Sequence, residues 1–327
     1  DEDVGPLGRE IADDGLDQDC DGADLTRATE QAREAFWQQR FIAGLPGGPG
    51  AERLRAACTR TAIVLISVDA LRADRLFGHP RAAELPAIRR LLDTGARFDH
   101  AYAPASSTRL SLPVLHTSHF SPSMRPPTPT LAFYLRAAGY RTAMAGLAHP
   151  IDFIRADRLE LHPPFDLRLG FDRVDLIEAR NPGPAMRGLG TASAEDANIA
   201  DHALALVREL STDPRPFFLW VHFFDLHQWG FTSSRRAGES AADHYDRAAA
   251  ATLVQVARFL DGLADLVASR PVVVALVADH GEALGEFGFE FHTRFLYDFL
   301  VHVPVVIRAP ELGPRVIREP ITLADLM

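Results

Sequence analysis

Two apolar, β-branched runs in this chain each end in acid. Ile63-Val64-Leu65-Ile66-Ser67-Val68 closes on Asp69, and Val272-Val273-Val274-Ala275-Leu276-Val277-Ala278 closes on Asp279-His280-Gly281-Glu282. Such runs read as strands buried on both faces of a parallel sheet. In open α/β sheets ligands collect at the carboxyl ends of the strands. Two strand ends are therefore expected to bring Asp69, Asp279 and His280 together. Two carboxylates and an imidazole form a donor set suited to zinc or manganese. A third segment, Ala103-Pro104-Ala105-Ser106-Ser107-Thr108-Arg109-Leu110-Ser111, places small hydroxyl residues ahead of an apolar helical stretch. That pattern predicts a helix N-terminus, where free N–H groups and the dipole attract anions. A hydroxyl there could act as nucleophile beside a metal. It could equally be an ordinary Ser/Thr cap.

The elements that must position these residues alternate in type. Helices are expected over Leu85–Thr94, stopped by Gly95, and over Leu131–Ala138, stopped by Gly139. A short strand follows at Tyr140–Ala145. Residues 148–195 are rich in Pro, Gly and Arg, lack periodicity, and read as a long surface excursion near the sheet's carboxyl edge. Further on come a helix at Ala197–Leu210, a strand at Pro216–Phe224, a long amphipathic helix at Tyr245–Val267, the strand at 271–278 and a last short strand at Pro304–Arg308. The alternation implies an α/β fold, a mixed, mostly parallel sheet sandwiched by helices. Segments 148–195 and 228–243 are expected to shape the pocket.

With 327 residues, 47% of them hydrophobic, the chain can bury a large core. It carries a net charge of −10 and no lysine. No basic cluster suggests a nucleic-acid groove, and any anion clamp must use Arg, His or backbone N–H. Two cysteines, Cys20 and Cys58, exclude a disulfide scaffold, and no apolar run reaches the ~18–20 residues of a membrane span. The chain opens on Asp1 and stops at Met327 as a new helical stretch begins, so a fragment is expected, with the C-terminus incomplete. Residues 1–59 differ in kind from 60–327. Asp17, Asp19 and Asp21 ahead of Gly22 have the 1-3-5-6 spacing of a calcium loop, but Ala28 at the twelfth position excludes a full EF-hand. Partial calcium binding and a solvated acidic linker are the two readings. A helix over Leu25–Ala43 and a hinge at Leu45–Gly50 complete the extension.

Taken in order, Ser67-Val68-Asp69-Ala70-Leu71-Arg72, Thr108-Arg109-Leu110-Ser111, Phe224-Asp225-Leu226-His227, Asp279-His280-Gly281-Glu282-Ala283-Leu284-Gly285-Glu286 and Leu296-Tyr297-Asp298 resemble the sulfatase-like branch of the alkaline phosphatase superfamily. The resemblance spans residues 60–327, and the DHGE-x-LGE block is its most specific part. It implies that Asp69, Asp279 and His280 are metal ligands. It aligns Thr108 with the cysteine that sulfatases convert to formylglycine, and Ser111 with the signature serine. A shifted alignment would put Ser106 or Ala105 there instead. The Thr-x-x-Ser pattern is similar to the phosphoethanolamine and phosphoglycerol transferases, which use a threonine alkoxide on one divalent metal. Departures from sulfatases agree: the second acid of their Asp-Asp pair is Ala70, their signature Arg is Leu112 with Arg109 nearby, and their G-K-x-H segment reads Gly146-Leu147-Ala148-His149.

The resemblance therefore implies one metal, zinc first and manganese or calcium as alternatives, held by Asp69, Thr108, Asp279 and His280. Arg109 and His149 would bind substrate. His227 and His292 are the candidates for protonating the leaving group, since histidine titrates near neutral pH. Glu282 would orient His280. His222 reads as a core histidine and His116 as a helix residue. A threonine ester cannot collapse to an aldehyde as a formylglycine hydrate does, so it needs attack at phosphorus or sulfur by a second acceptor. That suits phosphoryl transfer better than sulfate-ester hydrolysis. The expectation is a hydrolase or transferase of phosphate (or sulfate) esters on a small-molecule, lipid-headgroup or glycan substrate, outside the cytoplasm, with a tether supplied by upstream sequence. The alternatives are a sulfatase and an inactive sulfatase-like binding module.

Overall fold

The computed structural model describes residues 60–78, 82, 84–120, 128–153, 166–178, 195–232, 234–264, 270–292, 295–310 and 312–326. The acidic loop with Asp17, Asp19 and Asp21, and the helix expected at Leu25–Ala43, lie outside the described residues.

The strands are β1 (Ala62–Val68), β2 (Ala96–Phe98), β3 (Ala101–Tyr102), β4 (Arg141–Leu147), β5 (Arg173–Ile177), β6 (Phe217–Phe223), β7 (Val272–Ala278), β8 (Ala283–Leu284), β9 (Glu290–Phe291), β10 (Val305–Arg308), β11 (Arg315–Ile317) and β12 (Ile321–Thr322). One eight-stranded sheet runs β11-β2-β10-β7-β1-β6-β4-β5. The central pairs β7/β1, β1/β6 and β6/β4 are parallel, as is the edge pair β4/β5. Strand β10 is antiparallel to both its neighbours, which makes the sheet mixed. Every residue of β6 is buried, as a strand covered on both faces demands.

The helices are α1 (Ala73–Phe77), α2 (Pro86–Thr94), α3 (Thr108–Thr117), α4 (Leu131–Ala137), α5 (Ala148–Phe153), α6 (Asp196–Ser211), α7 (Trp229–Thr232), α8 (Ala241–Gly262) and α9 (Asp298–Val301). Helix α8 packs against α6 and α2, while α3 packs against α4 and α5. Local chemistry sets several boundaries. Pro86 opens α2 and Gly95 closes it, where a Cβ would meet the Leu91 carbonyl oxygen at 2.8 Å. Thr130 caps α4 by accepting from the Phe133 N–H. No described helix is long and apolar enough to cross a membrane.

Several boundaries differ from the sequence reading: α8 ends at Gly262 rather than Val267, and β4 runs on to Leu147. Helix α8 begins at Ala241 rather than Tyr245, because the Ser240 hydroxyl accepts from the Asp243 N–H and starts the helix a turn earlier. The excursion at 148–195 contains α5 and the edge strand β5. An edge strand buries little, and Arg173-Val174-Asp175 lacks the apolar run that marked the central strands. Val305–Arg308 is not the last strand: β11 and β12 follow, paired with β2 and β3 through segments too short to show a period.

Candidate active site

Parallel pairing of β1 with β7 sets Val68 opposite Ala278. Asp69 and Asp279 thus leave adjacent strand ends, although far apart in sequence. Both are fully buried, as is His280. After Asp69 the chain turns sharply through Ala70, whose φ is +57°. The Ala70 N–H donates to Asp279 Oδ1 at 3.2 Å, and the His280 N–H donates to the same oxygen at 2.9 Å. Asp279 Oδ2 is left buried without a hydrogen-bond partner among the described residues. The His280 Nδ1–H donates to the Gly281 carbonyl at 2.8 Å. Its Nε2 lone pair therefore faces Thr108 Oγ1 at 3.2 Å, Asp69 Oδ1 at 3.5 Å and Asp279 Oδ2 at 3.7 Å.

Thr108 is the first residue of α3 and almost fully buried. Its hydroxyl donates to Asp69 Oδ2 at 2.9 Å. The N-cap is Ser107, and its side chain makes no capping bond. Four lone-pair atoms thus surround one hydrogen: two carboxylate oxygens, an imidazole nitrogen and a hydroxyl oxygen. Asp69, Asp279 and His280 each place a donor atom within 4.8 Å of the others. An excess of acceptors with an unsatisfied buried oxygen fits a divalent cation.

His227 and His292 complete the wall. His227 lies in the 3₁₀ turn Asp225–Gln228 after β6, stacked on Phe224 at 4.6 Å between ring centroids. Its Nδ1 donates to Asp69 Oδ1 at 2.9 Å. His292 follows β9, with Nδ1 3.2 Å from each oxygen of Glu282. Its ring centroid lies 4.3 Å from that of His280 and 5.0 Å from that of His227. Glu282 was expected to orient His280. Its carboxylate instead serves His292, Trp229 Nε1 at 3.1 Å and the Ala283 N–H at 3.2 Å, because the Gly281 carbonyl already holds His280.

Burial and neighbouring charge push these groups apart. Burial alone would raise the Asp69 carboxyl, but His227, His222 and His280 hold it well below the usual range. Burial and the Asp69 charge raise Asp279. Burial would lower His227, yet the Asp69 charge and hydrogen bond raise it overall. Burial and then the His227 charge bring His292 down to about 4, and burial lifts Glu282 to about 7.

Arg109 follows Thr108 in the first turn of α3, half-buried, with its basicity lowered by burial. Ser111, the signature serine position, turns away and donates to the Ala105 carbonyl at 2.9 Å. His149 falls in α5, and its side chain lies outside the described set. One device escaped the sequence reading. Asp225 accepts from the Glu195 and Asp196 N–H groups at 2.8 and 2.9 Å, while Asp196 accepts from the Phe224 and Asp225 N–H groups at 2.9 and 3.2 Å. Asp196 Oδ2 also accepts from the Thr252 hydroxyl at 2.7 Å. Each acid caps the other's segment, so the turn carrying His227 is fixed to α6 and α8. The available signal was an acid at the start of each segment. Burial, with the Asp225 charge added, raises Asp196 to about 8.

A mostly parallel α/β sheet gathers buried acids, imidazoles and a hydroxyl at its carboxyl edge, where enzymes of this architecture build their sites, and the donor set fits a metal. The family model for Sulfatase matches residues 61–327, and the chain belongs to that family, whose members hydrolyse or transfer phospho- and sulfo-esters. Among solved structures, the phosphonate monoester hydrolase of Agrobacterium radiobacter is similar at 17% identity and a TM-score of 0.61, over 82% of this chain and 72% of that one. The zinc complex of the C-terminal periplasmic domain of EptC from Escherichia coli is similar at 16% identity and a TM-score of 0.60, over 82% and 80%. Ps i-CgsB in complex with a neocarrahexaose is similar at 16% identity and a TM-score of 0.56, over 82% and 70%. No curated protein matches the chain.

Proposed function

We propose that this chain is a metal-dependent phospho-ester hydrolase or transferase with Thr108 as its nucleophile. The observation that carries the reading is Thr108 Oγ1 at a helix N-terminus, 2.9 Å from Asp69 Oδ2 and 3.2 Å from His280 Nε2. Asp69, Thr108, Asp279 and His280 would hold one divalent cation, with zinc favoured by the O/O/O/N donor set and manganese or calcium as alternatives. When bound, that cation supplies a Lewis acid that lowers the hydroxyl's pKa and neutralises charge on the ester oxygens.

The side chains supply the rest. Asp69 Oδ2 takes the Thr108 hydrogen bond and so aligns the attacking oxygen. The positive end of the α3 dipole attracts the ester's charged oxygens, with Arg109 in its first turn and His149 as a further substrate contact. His227, tied through Nδ1 to Asp69, presents Nε2 to the leaving oxygen as proton donor. His292, tied through Nδ1 to Glu282, presents an Nε2 lone pair that draws the proton from an incoming water or alcohol. Attack by Thr108 and then by the second acceptor gives a covalent, two-step reaction. The substrate is an ester of a small molecule, a lipid headgroup or a glycan. The likeness to a periplasmic domain supports work outside the cytoplasm.

Sulfate-ester hydrolysis is the second reading, favoured by the family match itself. Incubation with a phosphodiester and, separately, an aryl sulfate, followed by metal analysis and intact mass, decides between them. About one metal per chain and a phospho-adduct on Thr108 are expected. Sulfate release without an adduct would move the assignment to a sulfatase. Neither metal nor adduct would leave an inactive binding module.

A further inference from the structure

His222, which the sequence marks only as a core residue, sits beneath the site on β6 in register with Ser67 of β1. Both are fully buried. Ser67 Oγ accepts from Trp220 Nε1 at 2.8 Å. An indole N–H can only donate, so the serine's own hydrogen remains to be placed. Among the described residues it meets His222 Nδ1, 2.9 Å away. A neutral imidazole that accepts at Nδ1 carries its hydrogen on Nε2. The flanking Trp220 and Phe224 rings, at 5.8 and 6.2 Å between centroids, offer that hydrogen no alternative acceptor.

His222 Nε2 is buried with no hydrogen-bond partner among the described residues. It faces Asp69 Oδ2 at 3.7 Å, the same oxygen that receives the Thr108 hydroxyl. That distance exceeds a hydrogen bond, in keeping with an oxygen already held by the Thr108 hydroxyl. We propose that His222 is a positioning residue: the Trp220–Ser67–His222 relay fixes an Nε2–H that holds Asp69 Oδ2 whenever Thr108 no longer donates to it. Asp69 then keeps one donor per oxygen, His227 on Oδ1 and His222 on Oδ2. A buried carboxylate so held cannot swing away from the nucleophile. The inference deepens the Thr108 reading and rests on it for its catalytic meaning.

Histidine-labelled, metal-free protein tests the relay by long-range proton–nitrogen correlation. Wild type is expected to show His222 as the Nε2–H tautomer, and Ser67→Ala to show a mixture. An Nδ1–H tautomer in wild type, or an unchanged pure Nε2–H form in Ser67→Ala, would overturn the proposal. The second arm compares His222→Gln, whose amide N–H reaches in the same direction, with His222→Leu. The Leu variant is expected to lose about tenfold or more in zinc affinity and in kcat with KM little changed, and the Gln variant to recover most of both. Equal zinc affinity in wild type, Gln and Leu variants would also overturn it. Should the Leu variant fail to fold, the Ser67→Ala spectrum decides alone. Retained activity in Thr108→Val would sink the nucleophile reading while leaving the tautomer result standing, so the two failures are distinguishable.

Discussion

Thr108→Val is the sharpest perturbation available. It exchanges one hydroxyl for a methyl and keeps a β-branched residue of the same shape in the first turn of α3. What disappears is the donor to Asp69 Oδ2 at 2.9 Å and the oxygen 3.2 Å from His280 Nε2. The lost bond involves a charged, fully buried acceptor, a class worth about 1.5–3 kcal/mol. His227 still satisfies the other oxygen of Asp69, which keeps the expected loss near the lower end. Chemistry should suffer far more. Removing the nucleophile of a covalent mechanism leaves only binding and charge stabilisation, a fall of about 10⁶ in kcat. That corresponds to about 8 kcal/mol of barrier. Thr108→Ser keeps the oxygen, gives up a methyl worth about 0.8 kcal/mol of burial, and frees χ1. Its kcat should fall by about one to two orders of magnitude through misplacement alone. The assay is single-turnover cleavage of a chromogenic phosphodiester, with intact mass read at each time point. The expected order is wild type, then Ser, then Val, with an adduct in the first two only. A Val variant within about tenfold of wild type, or one still forming an adduct, would mean that Thr108 is not the nucleophile.

Three further outcomes are expected. Because Asp196 titrates at about 8 in the fold against an ordinary 3.8, its protonated form is favoured on folding; its contribution is full below about pH 3.8 and is lost as pH rises toward 8. Urea unfolding should therefore show Asp196→Asn gaining on wild type with rising pH, by up to about 1.4 kcal/mol per unit, and a constant difference would rule this out. Gly281→Ala drives a Cβ to 2.2 Å from the Phe299 carbonyl oxygen, so thermal melts should show a loss of about 3 kcal/mol together with weaker metal binding, since the Gly281 carbonyl orients His280. His227→Asn should cut kcat by about 10²–10³. His227 has a raised pKa, so wild-type activity should persist past pH 6.5 and decline as pH climbs through that raised value, a limb the variant should lack.

The runs that became β1 and β7 were readable because a strand buried on both faces is apolar at every position, and the acids after them were readable as strand-end residues. Helices α2, α6 and α8 were readable from their period and punctuation. Strands β5, β11 and β12 were not, because edge and short strands bury too little to impose a pattern. The reciprocal Asp196–Asp225 caps were invisible because each looks like an ordinary helix-start acid until the two segments meet.

Sequence alone determined the donor chemistry of this protein: which residues carry carboxylate, imidazole and hydroxyl, and that two acids end buried strands. Only tertiary structure decided how each is used. Which nitrogen of His280, His227 and His292 is free depends on the partner of the other nitrogen: the Gly281 carbonyl, the Asp69 carboxylate and the Glu282 carboxylate. Likewise, His222 became more than a core residue only when parallel pairing set it beside Ser67 and beneath Asp69. A hydrogen bond needs two groups within about 3 Å at a defined angle, and in this fold those groups come from strands and turns that the linear order keeps far apart.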